Sequence, residues 1–260
     1  EVNLSGVVVD TSEGLNWTID LNWFSNKEEI VELYGSKNDD VGNGWFIGNP
    51  ITVFYNYEKT GIWQTDEQET AAKYGYVPGD IKVKDQNDDK AINASDRVII
   101  GSDVPKWSMG LTSRLEYKGI DFSFFIYTRQ GSTIQSNFHT SYNQLYGRFN
   151  NLDVDYWTPA NPTNAFPRPN STNANGVILG STTTYFDGSF VKVRNITLGY
   201  TFPDRLIKPL KMSSLRVYVM ADQPWMFTKY QGFDPEKDNG VLSNYVPSNK
   251  SFMMGLNVSF

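Results

Sequence analysis

The stretch Lys84 to Arg97 reads KDQNDDKAINASDR and holds the side chains best placed to do chemistry. Asp85, Asn87 and Asp89 stand at positions 1, 3 and 5 of a loop. Ala91 offers a carbonyl at position 7, Asn93 falls at 9 and Asp96 at 12. A hard cation such as Ca2+ takes about six to eight oxygens from a flexible loop, and this spacing offers them to Ca2+ or Mg2+. Ile92 supplies the apolar residue at position 8. Lys90 stands where the sharp turn prefers glycine, and Asp96 replaces the longer glutamate. The same side chains can also close on their own backbone as Asx-turns, which gives a solvated acidic loop with no metal. A cation held here would stiffen the loop, because no water-activating partner accompanies it.

Other site chemistries find little support. The chain has no cysteine, which removes disulfides and thiolate-held metals. His139 is its single histidine, too few for a histidine triad or a multi-histidine metal centre. A net charge of -6 and a pI near 4.9 argue against nucleic acid as a partner. With 29 acidic side chains in 260 residues, carboxylate pairs arise by chance, and no glycine-rich phosphate cradle follows a strand. The expectation is therefore a protein that is not an enzyme. The remaining candidates are aromatic: Phe138, Tyr142, Tyr146, Trp157, Tyr185, Trp225 and Tyr230 lie in long loop-like stretches and could face a substrate or a partner, stacking on a sugar or docking a peptide. The alternative for each is packing within the loops.

These residues must be positioned by strands. The end of the chain alternates strictly: Phe252, Met254, Leu256, Val258 and Phe260 share one face, with Met253, Gly255, Asn257 and Ser259 on the other. Leu15, Trp17, Ile19, Leu21 and Trp23 oppose Asn16, Thr18, Asp20 and Asn22 in the same way. Further strands are expected over 2–10, over 107–117 and 120–127 around a tight Lys118-Gly119 turn, over 190–202, and over 215–221. Val191 and Val193 fall out of phase with Ile196, Leu198 and Tyr200, which points to a bulge near Arg194-Asn195. Thr65 to Lys73 is the one helical stretch, with Thr65 or Asp66 as its cap. Short connections join 10 to 15, 117 to 120 and 203 to 214, whereas 25–106, 130–187 and 223–249 are long loops. Apolar residues make up only 39% of the chain, aromatics reach 15%, and the mean hydropathy is -0.44. No apolar run approaches the roughly 18 residues of a membrane helix. Strictly alternating short turns and long loops, with tryptophans bounding an apolar stripe, are the pattern of a membrane β-barrel. The competing arrangement is a soluble all-β glycan-binding module whose apolar strand faces oppose one another in a sandwich.

Five stretches and the terminal strand also resemble, in order, the C-terminal part of the SusC/RagA family of TonB-dependent outer-membrane transporters. They are PGDIKVKDQNDDKAINASDR (78–97), LEYKGIDFSFFIYTRQG (115–131), DYWTPANP (155–162), DGSFVKVRNITLGYTFP (187–203) and SSLRVYVMADQPWMFTKYQGFDPE (213–236), with SFMMGLNVSF at the end. The resemblance implies an all-β fold. About seven antiparallel transmembrane strands with long extracellular loops would form the C-terminal portion, 1–260, of a barrel of about 22 strands. It implies as partners the remaining N-terminal barrel, a plug domain expected to be absent from this chain, TonB reached through the missing N-terminal part, a SusD-like surface lipoprotein, the lipid bilayer, and an oligosaccharide or peptide substrate. The setting would be the outer membrane of a Bacteroidetes-type bacterium with the C-terminus periplasmic. Phe252, Met254, Leu256, Val258 and Phe260 would then be the terminal signal for barrel assembly. The family pattern usually has glycine where Lys90 stands.

Overall fold

The computed structural model describes residues 1–143, 145, 151–169, 179–237 and 248–260. The strands β1 (Val2–Asp10) and β2 (Leu15–Phe24) form a hairpin, closed by Thr11–Gly14. The first long loop follows. It carries β3 (Phe54–Tyr57), β4 (Lys59–Ile62), α1 (Gln68–Lys73), β5 (Ile81–Val83) and β6 (Arg97–Gly101). Next come β7 (Trp107–Tyr117) and β8 (Ile120–Gln130). The second long loop holds β9 (Thr133–Gln135), α2 (Asn137–Tyr142) and β10 (Tyr185–Asp187). The chain then forms β11 (Phe190–Thr201), the short α3 (Asp204–Ile207) in a turn, β12 (Ser214–Thr228), the third long loop, and β13 (Ser251–Ser259).

Seven of these strands make one antiparallel sheet in the order β1-β2-β7-β8-β11-β12-β13. The register puts apolar residues opposite one another along most of the sheet, with Ser113 and Thr128 as polar exceptions on the same face. Trp17 pairs with Leu115 and Leu115 with Phe122; Leu198 faces Phe122 and Val219, and Val219 faces Met254. This face is bare: Met254 is 86% exposed, and Leu4, Ile120, Leu198 and Leu256 are exposed as well. Among the described residues no second sheet covers it, since the other three sheets have two strands each and lie within the long loops. The sandwich alternative needs such a cover and does not find one. Along β7 the apolar face runs eleven residues from Trp107 to Tyr117, ten steps of the strand. At about 3.3 Å per residue and a tilt near 40°, that spans roughly 25 Å, the height of an outer-membrane apolar band.

The opposite face is polar. Asp20 pairs with Arg114, and the Arg216 guanidinium grips Asp121 with Nε to Oδ1 at 2.9 Å and a terminal nitrogen to Oδ2 at 2.5 Å. That second pair reaches from β12 to β8 across β11. It can do so because Gly199, directly opposite Asp121, has no side chain in the way. Gly255 likewise leaves room for the Tyr218 ring, and Gly110 for Phe125.

The bulge expected near Arg194-Asn195 is present. Val193 pairs with Ile126 and Asn195 with Phe125, leaving Arg194 as the extra residue. The shift brings Val191 and Val193 back onto the apolar face beside Ile196. A second irregularity follows on β12, where Val193 faces Trp225 and Asn195 faces Asp222. β12 therefore continues to Thr228, and the third loop begins at 229 rather than at 223. The Lys118-Gly119 turn has φ of 48° and 86°, the left-handed pair that a two-residue hairpin requires. The expected helix cap moves: Thr65 lies inside the first turn, and the Gln64 N–H donates to Glu67 Oε2 at 3.0 Å.

Replacing Gly199 with leucine forces a side chain into the Asp121–Arg216 pair, at an overpacking cost of roughly 1–3 kcal/mol. Gly6, with nothing near its Cβ position, is the control. In the full-length protein, Gly199→Leu should lower the temperature at which the barrel loses its heat-modifiable gel mobility. Gly6→Ala should not. Equal mobility transitions would refute the bridging role of Gly199.

Candidate functional site

The three long loops converge at one end of the sheet and build a roof with its own small core. Ile62, Ile81 and Val83 from β4 and β5 bury Trp157 of the second loop, with Tyr57, Ile92 and Leu179 packed around them. Trp157 is 6% exposed and donates its indole N–H to Gln64 Oε1 at 2.9 Å. Asn164 closes the seam by accepting from the Ile62 N–H at 2.9 Å, and Arg168 Nε reaches Asp80 at 3.0 Å.

Beside this core lies a cleft of about 430 Å3 to which each of the three loops contributes. The first supplies Tyr57, Glu58, Lys59 and Ile100. The second supplies Ala165, Phe166, Thr182, Thr183, Tyr185 and Phe186, and the third Lys229 and Gln231. The volume lies in the range of small-molecule sites, and aromatic walls with a few charged groups are their usual lining. Tyr185 is fixed by its ring against Phe54 at 5.5 Å and by Asn56 Nδ2, which donates to its hydroxyl at 3.1 Å. Phe186 is fixed against His139 at 4.4 Å and Tyr230 at 5.3 Å. Lys59 donates to the carbonyls of Asn164 and Ala165 at 2.8 and 2.7 Å, and burial pulls its ammonium below the usual lysine range. A larger apolar depression of about 730 Å3, lined by Leu198, Val219, Met254 and Leu256 among others, lies on the outward face. Its open, greasy lining suits acyl chains better than a polar ligand.

The aromatic candidates divide. Tyr185 lines the cleft. Trp157 and Tyr230 are buried, so they serve the roof as packing rather than facing a substrate. Tyr230 shares a short contact with Ser136, its hydroxyl 2.5 Å from Ser136 Oγ, which also sits 2.8 Å from His139 Nδ1. Phe138 is half-buried on α2 against Phe233 at 4.7 Å, and Tyr142 follows it at 5.3 Å with its own ring exposed. Trp225 is a correction: it sits on β12 opposite Val193, on the outward apolar face, not in a loop. Tyr146 lies outside the described residues. In the terminal strand, Phe252, Met254, Leu256 and Val258 project outward, paired with Ala221, Val219, Val217 and Leu215.

The acidic loop closes on its own backbone, with its side-chain oxygens turned largely to backbone amides. Lys90 takes the left-handed turn with φ of 64°, and its N–H donates to Asp85 Oδ2 at 2.9 Å. Asn87 accepts from the Asp89 N–H at 3.1 Å and Asp89 from the Ala91 N–H at 2.8 Å. Asp96, fully buried, uses one oxygen for the Gln86 N–H and the other for the Asn93 N–H, at 2.9 and 2.8 Å. Burial opposes ionisation of Asp85. The N–H groups of Lys90, Asp88 and Asp89 and the Tyr74 hydroxyl nevertheless hold its carboxyl below the usual range. Asp85 Oδ1 is buried with no hydrogen-bond partner in the described structure. The Ala91 carbonyl accepts from Asn93 Nδ2 at 3.3 Å, and among the described residues no three carboxylates are gathered into a metal centre; Asp96 acts as the staple that closes the loop.

One cluster was not anticipated. Lys192 of β11 is 1% exposed and pairs with Asp234 at 2.9 Å and Glu236 at 2.6 Å in the third loop. Arg194 also contacts Glu236, and Ser248 donates to Asp234. Burial opposes the charge on Asp234, but Ser248, Lys192 and the Glu236 N–H hold its carboxyl below the ordinary 3.8. The clamp ties both ends of the third loop to the wall. A lysine between valines in a strand was the available signal, but its acidic partners are 42 and 44 residues distant in sequence.

Lys192→Ala leaves Asp234 charged and uncompensated, a cost of about 3–5 kcal/mol for a buried pair. Limited proteolysis of the full-length protein should then cut the third loop much faster, with the barrel intact. The folded pKa of Asp234 is depressed, so the clamp should hold above pH 3.8 and loosen as pH falls through the folded value. Unchanged cleavage in the variant would remove the clamp.

No family model matches the chain. Over 96% of its length it is similar to TonB-dependent receptors. Two are from Formosa agariphila, 27% and 29% identical, of which it covers 28% and 27%. A third is the TonB-dependent receptor SusC of Bacteroides thetaiotaomicron, 27% identical, of which it covers 25%. The chain thus spans about a quarter of the length of the curated relatives it matches. Among solved structures, that of the RagAB peptide transporter matches 99% of this chain and 28% of its own, with a TM-score of 0.78 at 23% identity. The RagAB peptide importer in its open-open state matches 99% and 28%, with a TM-score of 0.74 at 24% identity. At these identities the solved structures show a shared fold, that of part of an antiparallel barrel. The resemblance to the SusC/RagA family of TonB-dependent transporters holds.

Proposed function

We propose that this chain forms part of the barrel wall and extracellular roof of an outer-membrane TonB-dependent transporter. The whole protein would import oligosaccharides or peptides together with a SusD-like surface lipoprotein. The observation that carries the reading is the seven-stranded sheet with one largely apolar face and one charged face, joined by turns at one end and long loops at the other. Lipid would take the first face and the lumen the second. The curated relatives are receptors, so the role is binding and passage rather than catalysis.

Among the described residues, β1 and β13 each have a partner on one side only. An open strand edge is not tolerated in hydrocarbon, so further strands of the same barrel must pair with both. The remaining N-terminal barrel supplies them in this reading, and with it come the plug and the segment that engages TonB. The turns then lie on the periplasmic side, along with the C-terminus, and the roof faces outward beneath the lipoprotein.

The test is energy-dependent uptake. Deleting the full-length gene should abolish accumulation of a labelled oligosaccharide or peptide mixture, and so should removing TonB. Deleting Phe260 alone should lower the amount of heat-modifiable barrel in the outer membrane. Normal uptake in the gene deletion would defeat the transporter reading; normal barrel levels without Phe260 would defeat only the terminal-signal role.

The loop at 85–96 is read as a weak, structural cation site anchored on the orphaned oxygen of Asp85. Tyr74 touches Asp85 at 3.3 Å and can sensitise a bound lanthanide. Titrating Tb3+ into the full-length protein should give luminescence that Ca2+ quenches and Asp85→Asn abolishes. Emission unaffected by Asp85→Asn would exclude this loop.

A further inference from the structure

We infer that the roof cleft selects a ligand carrying a carboxylate, held by Lys59 and Lys229 while its ring or apolar part lies against Tyr57, Phe166, Tyr185 and Phe186. The inference deepens the transporter reading by naming a substrate class, and it rests on that reading for its physiological meaning.

The charges in the cleft do not cancel. Neither lysine is ion-paired among the described residues. The one carboxylate in the lining, Glu58, already has partners: Gln86 Nε2 donates to it at 3.2 Å, and Lys84 lies at 3.8 Å. Lys59 gives two of its three N–H bonds to the Asn164 and Ala165 carbonyls. Those carbonyls hold the ammonium at the cleft wall and leave one donor uncommitted. Lys229 follows directly on the end of β12, where Thr228 Oγ1 accepts from the Tyr230 N–H at 3.1 Å. A cation from the first loop and a cation from the third thus border one cavity whose other walls include four aromatic rings, Tyr57, Phe166, Tyr185 and Phe186. The acidic chain as a whole carries -6, so two unpaired ammonium groups here run against its overall balance. A carboxylate has two oxygens and can accept from two ammonium donors at once, and charge-assisted hydrogen bonds of this kind are the strong ones. The shared chemistry can come from the free C-terminus of a short peptide or from a uronic acid in an oligosaccharide.

The experiment is calorimetric titration of the full-length transporter in detergent with two matched pairs. One pair is Ala-Phe-Ala with a free C-terminus and its C-terminal amide. The other is tri-galacturonic acid and its methyl ester. At least one acid should bind about tenfold tighter than its neutral twin, and which acid does so identifies the source. Lys229→Gln, which breaks no ion pair among the described residues, should remove most of that preference, and Lys59→Gln with Lys229→Gln all of it, with heat-modifiable mobility unchanged. Equal binding of acid and neutral forms, binding of neither acid, or a preference that survives in the Lys229→Gln protein would overturn the inference. Detergent titration needs no TonB, so an acid preference without uptake would refute the transporter reading and leave the cleft standing.

Discussion

A backbone amide in hydrocarbon has no water to bond, and everything else in this chain follows from that constraint. It allows only a sheet in which each strand is paired along its length. It also fixes the register, because a slip of one residue would turn Leu198, Val219 and Met254 inward and Arg216 and Asn257 outward. The alternation of Leu, Trp, Ile and Phe with Asn, Asp, Arg and Ser is the trace of this demand on the sequence. The bulge at Arg194 and the irregularity at Asp222–Trp225 are where two strands of unequal length are reconciled without a change of face.

Such a sheet has no core between layers, so the interior chemistry is that of a wet wall. Two charge pairs on it, Asp20–Arg114 and Asp121–Arg216, bridge strands, and glycines mark the places where one side chain must pass over a neighbouring strand. Gly199 under the Asp121–Arg216 pair is the clearest example. The apolar burial that a soluble domain would place between its layers appears instead in the roof. Trp157 with Ile62, Ile81 and Val83 forms a small core drawn from two loops. Loops that long would be costly to order unless they buried something of their own. The roof is therefore a folded element, rigid enough to shape a cleft.

The strands were legible because their signal is local: side chains two apart share a face, and the alternation in Leu15–Trp23 or Phe252–Phe260 survives without knowledge of any partner. The bulge near Arg194 was legible for the same reason, as a break in phase. β12 was read too short because Asp222-Gln223-Pro224 interrupts the alternation, and only pairing with β11 shows that the strand resumes at Trp225. That error also misplaced Trp225 among the loop aromatics. The roof was largely illegible. Whether Trp157 faces a ligand or a core depends on residues about ninety positions away, among them Gln64. The clamp at Lys192 and the carbonyl cradle of Lys59 have partners 42 to 106 residues distant, beyond any pattern of spacing. In the acidic loop, the side-chain types suited both a cation loop and Asx-turns closed on the backbone. Their division between backbone amides and an uncommitted oxygen at Asp85 needed coordinates.

The wall and the roof are coupled through strand ends. β12 presents Trp225 and Phe227 to the apolar side. Within three residues it delivers Thr228, Lys229 and Tyr230 to the roof, the last against Ser136 and Phe186 of the second loop. β11 begins at Phe190 and places Lys192 two residues later, where it holds the third loop down. The cleft side chains are thus only a few bonds from hydrogen-bonded strands. A membrane sheet is the stiffest support available, since its ladder bonds have no water to exchange with. A site built on its rim inherits that stiffness, and the loops need to order only the side facing away from the membrane. Change in the cleft's aromatic walls can then alter what is bound without touching the register that keeps the wall in lipid.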